Sequence, residues 1–393
     1  MLELILAITT GLVIGVIAGL VPGLHPNTLL PITLLLFSSL NPLSFAMLLI
    51  AMIITANYFE FIKTTYLSCP DEGTSLSIRY AQKLLLDGRG AEAVKLLSIG
   101  ALGTTLVIII IAPLLLELIP VAYELIEDYV VIVLIGLSLH LILSEGANMG
   151  KAATIYTLSG ILGVMVLRTE LINQPLLPLL TGLYGVSNIL HNMQLGENVP
   201  AQLKKVVTEV SNKTKIKGII KAVTSSSIIT FVPAIGPSQA ASISNELVKT
   251  RNEKEKLITL GGVNTGDVIF SLTALFTINK ARSGVIEQIS RDALTKNNYL
   301  MLLLASMIIA GISYWLVNKV THAVGKRINK INYKKMNIGL LGFITIIVIV
   351  INGWQGLIVL ITATMIGLLA ISYQVNQNHL MAALIVPTII YYL

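Results

Sequence analysis

Two short segments of this chain offer backbone chemistry that apolar sequence rarely exposes. Val21-Pro22-Gly23-Leu24-His25-Pro26-Asn27 returns as Val232-Pro233-Ala234-Ile235-Gly236-Pro237-Ser238, and each copy splits a long hydrophobic stretch in two. Proline opens a helix where its missing N–H costs nothing. Pro26-Asn27-Thr28 and Pro237-Ser238-Gln239 are therefore expected to leave the next N–H groups, at the positive end of a helix dipole, open to an anion. Gly23 and Gly236 permit a tight turn and close approach of a ligand. Asn27, Thr28, Ser238 and Gln239 add side-chain donors. His25 stands in the first turn, either as a proton-linked or substrate-binding group or as a structural turn residue. One such break alone reads as a proline kink. Two, at corresponding places in the halves of a membrane chain, are how secondary carriers build a substrate site from broken helices.

A second echo follows each break. Asn57-Tyr58-Phe59-Glu60 and Asn264-Thr265-Gly266-Asp267 both set an amide and a carboxylate three residues apart, on one face of a helix. That pairing suits a cation site completed by carbonyls, with Na⁺ as the ion, or an acid that carries a proton. A carboxylate inside an apolar span is costly and marks a functional site by default. Glu60 and Asp267 are thus the coupling candidates, with Asn57, Asn264 and Ser271 beside them and hydroxyls from Thr64 and Thr65 in the same region. The structural alternatives are an ion pair of Glu60 with Lys63 and a place for Asp267 nearer the membrane interface.

These groups need a membrane scaffold, and composition supplies one. Of 393 residues, 54% are hydrophobic and only 12% charged, with a mean hydropathy of +0.82, which describes an all-α polytopic membrane protein. Apolar spans are expected near 43–67, 96–118, 129–143, 152–168 and 175–190, and again near 257–278, 299–317, 338–351, 355–372 and 379–393. Residues 1–40 and 216–248, each with a proline-rich break, read as re-entrant helical hairpins, the alternative being that 4–20 or 216–232 are ordinary full spans. Each half is then one hairpin plus about five transmembrane helices. Residues 1–200 form a first repeat, 201–217 a cytoplasmic connector and 218–393 a second repeat of inverted topology.

The net charge of +7 follows from orientation and not from nucleic-acid binding. Basic groups in residues 79–95, 204–221, 249–256 and 319–335 fall on one face, which becomes cytoplasmic. Glu117, Glu124, Glu127 and Asp128 fall on the other; Lys280, Arg282, Arg291 and Lys296 dissent. Residues 79–95 begin as an amphipathic surface helix ending at Asp87-Gly88. The single cysteine, Cys69, allows no intramolecular disulfide, no His/Cys cluster has metal-ligand spacing, and no resident cofactor is expected. Met1-Leu2-Glu3 lacks the basic start of a signal peptide, so residues 4–20 are expected to stay in the protein. Gly11, Gly15 and Gly19 permit close helix contact, within the fold or in a homo-oligomer.

Gly11-x3-Gly15-x3-Gly19-Leu20-Val21-Pro22-Gly23-Leu24 resembles the opening of the large membrane subunit of tripartite tricarboxylate transporters, the TctA family. Residues 68–75 (Ser-Cys-Pro-Asp-Glu-Gly-Thr-Ser) and 87–93 (Asp-Gly-Arg-Gly-Ala-Glu-Ala) are similar to the family's proline-bearing loop and its Gly-Arg-Gly segment. Phe231 to Pro237 and Leu260 to Asp267 are similar to the second copy. The resemblance covers roughly residues 11–105 and 218–285. It implies a secondary carrier for small organic anions such as di- or tricarboxylates, driven by an ion gradient, with a small membrane subunit and an extracytoplasmic binding protein as partners. Tyr58, Phe59 and Glu60 replace a glycine-rich stretch, Phe270 and Ser271 replace paired asparagines, and Asp71 stands where the family has glycine, so citrate itself does not follow.

The function expected is that of a permease in the cell membrane, coupled to Na⁺ or H⁺ by alternating access, with the anion held between the two tips. A carrier of a lipid phosphate such as polyprenyl phosphate is the alternative, since helix N-termini accept phosphate as readily as carboxylate. A channel or scaffold would make doubled anion sites superfluous. An intramembrane enzyme lacks a nucleophile set or metal spacing, and His140 and His191 stand isolated.

Overall fold

The apolar stretches become helices because a backbone in lipid must satisfy its own N–H and C=O groups. The computed structural model describes residues 2–22, 24–70, 72–168, 172–195, 200–203, 208, 210–231, 236–247, 250, 252–328 and 332–393, and among these there is no strand. In chain order the helices are α1 Leu2–Leu20, α2 Pro26–Phe37, α3 Pro42–Leu67, α4 Ile78–Leu86, α5 Gly90–Ile126, α6 Val130–Leu143, α7 Met149–Leu167, α8 Leu176–Leu180 and α9 Ser187–Leu195. The second half adds α10 Asn212–Phe231, α11 Pro237–Leu247, α12 Glu253–Ile278, α13 Gly284–Glu287, α14 Lys296–Ile328, α15 Tyr333–Ser372 and α16 Ala382–Tyr392. Among the described residues, seven continuous stretches are long and apolar enough to cross a membrane. All ten expected spans are helical. Those near 338–351 and 355–372 are the two arms of α15, bent at Gly353, whose φ of 65° a side chain would disfavour. The second broken segment begins earlier than expected, at Asn212.

α1 and α3 run parallel at very close range. A Cβ at Gly11, Gly15 or Gly19 would lie 2.3, 2.5 and 2.5 Å from the carbonyls of Leu48, Met52 and Ala56, so only glycine allows the contact. α2 brings the chain back to where α1 began: the Asn41 N–H donates to Glu3 Oε1 at 3.0 Å, and Asn41 then caps α3 by accepting from Ser44 N–H. The second half repeats this construction. Gly218, Ala222 and Ser226 on α10 face Ile258, Gly262 and Gly266 on α12, again in parallel. After α11 the chain comes back beside the middle of α10 and the start of α12, where Thr250 accepts from Lys221 and donates to Glu255. α3 and α12 each have 26 residues and both end on a non-glycine residue in the left-handed region, Ser68 and Asn279. Their positions differ by a constant 211, the difference between 253 and 42.

α5 fixes the relative direction of these units. It starts beside Tyr66 at the end of α3, so it runs against α3; it runs with α12, because Gly100 meets Ile258 and Gly266 meets Ile108. α3 and α12 therefore point in opposite directions. One end of the bundle gathers α4 with the starts of α5, α10 and α12, tied by Lys83–Glu253, Lys254–Glu92 and Lys221–Glu255 at 2.9, 2.9 and 2.7 Å. The other holds the starts of α1 and α3, the end of α5 and the loop after α12, where Lys280 pairs with Glu127 at 2.8 Å. That contact accounts for Lys280 on the acidic face, and the hydrogen bonds to Glu127 and Tyr123 raise the Lys280 amine above its ordinary range.

The helices sort into two bodies. α1–α5 and α10–α14 pack around α3 and α12, whose spanning windows are almost wholly buried. α6–α9, α15 and α16 pack on one another: Gly163 meets the Ala383 carbonyl, and Gly367 the Leu183 carbonyl. Gln174 N–H donates to Asn352 Oδ1 at 2.8 Å. A π-helical turn at Thr181–Val186 joins α8 to α9 within this second body.

Candidate functional site

Asn57, Glu60 and Thr64 share one face of α3, and the fold closes that face with groups from both halves. Glu60 is 4% exposed. Thr74, in the 3₁₀ turn Glu72–Ser77, donates to Glu60 Oε1 at 2.5 Å and shares a 2.7 Å bond with Thr64. Asn264 Nδ2 donates to Glu60 Oε2 at 3.2 Å, while Asn57 Nδ2 donates to the Asn264 carbonyl at 3.0 Å. Gly73 admits the Asn264 amide, since a Cβ there would sit 2.2 Å from its Oδ1. A carboxylate at this depth is held by donors aimed at both oxygens.

Asp267 belongs to a different constellation. Its Oδ2 accepts from Arg282 Nη1 at 2.5 Å, and its Oδ1 is buried with no hydrogen-bond partner among the described residues. Ser271, one turn on, accepts from the Ser283 N–H at 3.3 Å. The matched Asn/acid pairs are thus not structural equivalents: at the offset of 211 set by the helices, Glu60 corresponds to Ser271 and Asp267 to Ala56, one turn away. The two acids are held by different partners, Glu60 by Thr74 and Asn264 and Asp267 by Arg282.

At the first break the expected bare N–H groups are not bare. His25 caps α2: its Nδ1 accepts from the Asn27 N–H at 3.1 Å, and its carbonyl accepts from Thr28 and Leu29 at 2.9 and 3.2 Å. An accepting Nδ1 places the neutral ring's proton on Nε2. An anion at this tip would meet side chains, those of Asn27 and Thr28 and the His25 ring, in place of the backbone. These three line a cavity of about 700 Å³ with Cys69, Pro70 and, from the second body, Gln174, Thr181 and Thr388 among others. At the second break Gly236 and Ser238 are buried, with Ser238 at 0% exposure, and Gly236 accepts from Ala240. Neither reaches that cavity. Gly23, residues 232–235 and the Gln239 side chain lie outside the described residues.

The loops after α3 and α12 connect the breaks. Cys69 and Pro70 line the cavity at the first, and the following turn Glu72–Ser77 packs on α11 of the second. In return, α13 packs on α2, with Gly284 against the Asn27 side chain. A second cavity of about 1030 Å³ opens between the bodies at the α4 end, with Arg79, Asn245 and Lys256 facing Glu145, Asn188 and His191. Thr74 and Arg282 escaped the spacing argument. The signal for Arg282 was a cation on the acidic face; Thr74 had none beyond its place in a proline-bearing loop.

The sequence profile of the family described as "Tripartite tricarboxylate transporter TctA family" matches residues 5–382. The chain is similar to the uncharacterized protein MJ1079 of Methanocaldococcus jannaschii, 28% identical over 381 residues and covering 94% of each chain. No solved structure matches.

Proposed function

The chain belongs to the tripartite tricarboxylate transporter TctA family, a family of multi-pass membrane transporters, and from that premise we propose that it carries small organic anions, carboxylates foremost, by alternating access coupled to Na⁺ or H⁺. The observation that carries the proposal is the sorting of helices into two bodies, with a cavity at the seam that reaches His25, Asn27 and Thr28. A body that holds both breaks can slide or rock against the other and expose its site to each side in turn.

In this mechanism α1–α2 and α10–α11 are re-entrant hairpins and the two units are inverted repeats. The return of α2 to Glu3 and the opposed directions of α3 and α12 support both points. The end with α4 is cytoplasmic by its positive charge. Asn27, Thr28 and His25 hold the anion in the cavity at the first break, and Ser238 with Gln239, outside that cavity in this conformation, take it at the second, while Glu60 and Asp267 serve the coupling ion. Membership of tripartite systems favours a small membrane subunit and an extracytoplasmic binding protein as partners.

The test is counterflow in proteoliposomes with labelled citrate and succinate. Asn27→Ala and Ser238→Ala are each expected to reduce exchange at least ten-fold. Wild-type rates in both, for both anions, would remove the tips from the site.

A further inference from the structure

We propose that Arg282 is a substrate-carboxylate ligand of this carrier, held in reserve by Asp267, and that a monovalent cation arriving at Asp267 releases it. The proposal rests on the carrier function above and deepens it by naming the group that links ion to substrate. Arg282 stands in the loop between α12 and α13. Its loop is pinned on one side by the Ser283 N–H on Ser271, and on the other Gly284 abuts the Asn27 side chain at the first break. Asp267 follows Gly266, which packs on Ser226 of α10, in the wall of the second hairpin, and on Thr104 and Ile108 of α5. The ion pair thus spans from a segment touching one tip to the helix behind the other.

Charge then decides what the pair can do. Asp267 and Arg282 together are neutral, and the next acid, Glu60, is engaged by Thr74 and Asn264 on the far side of the Asn264 side chain. Glu287 on α13 is exposed. An anion that took Arg282 from Asp267 would leave a bare carboxylate in the protein interior, which is strongly penalised. A cation at the buried, unbonded Asp267 Oδ1 removes that penalty, and the planar fork of the freed guanidinium matches a carboxylate. Cation and anion then raise each other's affinity by the same factor, as linkage requires. A purely structural ion pair would hold the loop and give no such linkage.

Equilibrium binding of labelled citrate and succinate to the purified full chain tests this, with Na⁺ titrated at fixed pH in one arm and pH titrated without Na⁺ in the other. The arm that changes wild-type affinity identifies the cation, and a ten-fold or larger drop in Kd is expected. Asp267→Asn should bind with the cation-saturated Kd when no cation is supplied. Arg282→Gln should weaken binding at least ten-fold at any cation level, with partial recovery in Arg282→Lys. Should a single variant fail to fold, Asp267→Asn/Arg282→Gln, whose core stays neutral, carries the test and should bind weakly without cation dependence. Wild-type affinity in Arg282→Gln, or cation-dependent affinity in Asp267→Asn or in the double variant, overturns the proposal while leaving the carrier intact. If the wild-type chain neither binds nor transports either anion, both fall together.

Discussion

Glu60 shows what a carboxylate requires in the middle of a buried helix: a hydroxyl on one oxygen, an amide on the other, and a glycine to let the amide in. Thr74→Val keeps the shape and deletes the first donor, and the lost hydrogen bond to the buried carboxylate should cost about 1–3 kcal/mol. A lowered thermal midpoint in detergent would register it; an unchanged midpoint would mean Glu60 is not held this way. His379, in the 3₁₀ turn Gln377–Met381, offers a pH test outside the spanning helices. Burial lowers its pKa and its hydrogen bond to Glu145, 3.1 Å away, only partly opposes that. A depressed folded value means stability is fully present above about pH 6.5, the ordinary value, and is lost as pH falls through the folded value. The wild type should lose thermal stability on acidification through that window, and His379→Gln should lose less. The polar residues of α3 and α12 were legible because carboxylates and amides stand out in apolar helices. Their partners were not: Thr74 and Arg282 meet them through loops whose path no spacing rule gives.

The broken segments were legible as elements, since Pro and Gly interrupt hydrophobicity at a fixed interval, but their local chemistry was only half legible. Proline at the first helical position does leave N–H groups over; that a histidine side chain one residue earlier would take the first of them depends on its rotamer. The proposed return of α2 to its side of entry has a direct test. Ser39, exposed just after α2, lies with Asn41 and Glu3, and the only native cysteine, Cys69, is buried. Ser39→Cys should react with an impermeant maleimide added outside intact cells. Reaction only after permeabilisation would make α2 the end of a full crossing.

For the whole molecule, the ten apolar spans and the pairing of halves follow from hydropathy and from two echoing motifs. The partition into two bodies does not, because it is set by which faces carry glycines opposite carbonyls, as at Gly100, Gly163 and Gly367. The same partition separates mobile from stationary parts in the proposed cycle and puts the cavity at their seam. One more feature follows the chain across its midpoint: the loop after α3 supports α11, and the loop after α12 supports α2. Each half thereby props up the other's broken helix, as two clasped hands each hold the other's fingers. Neither half by itself would then hold its own broken helix in place.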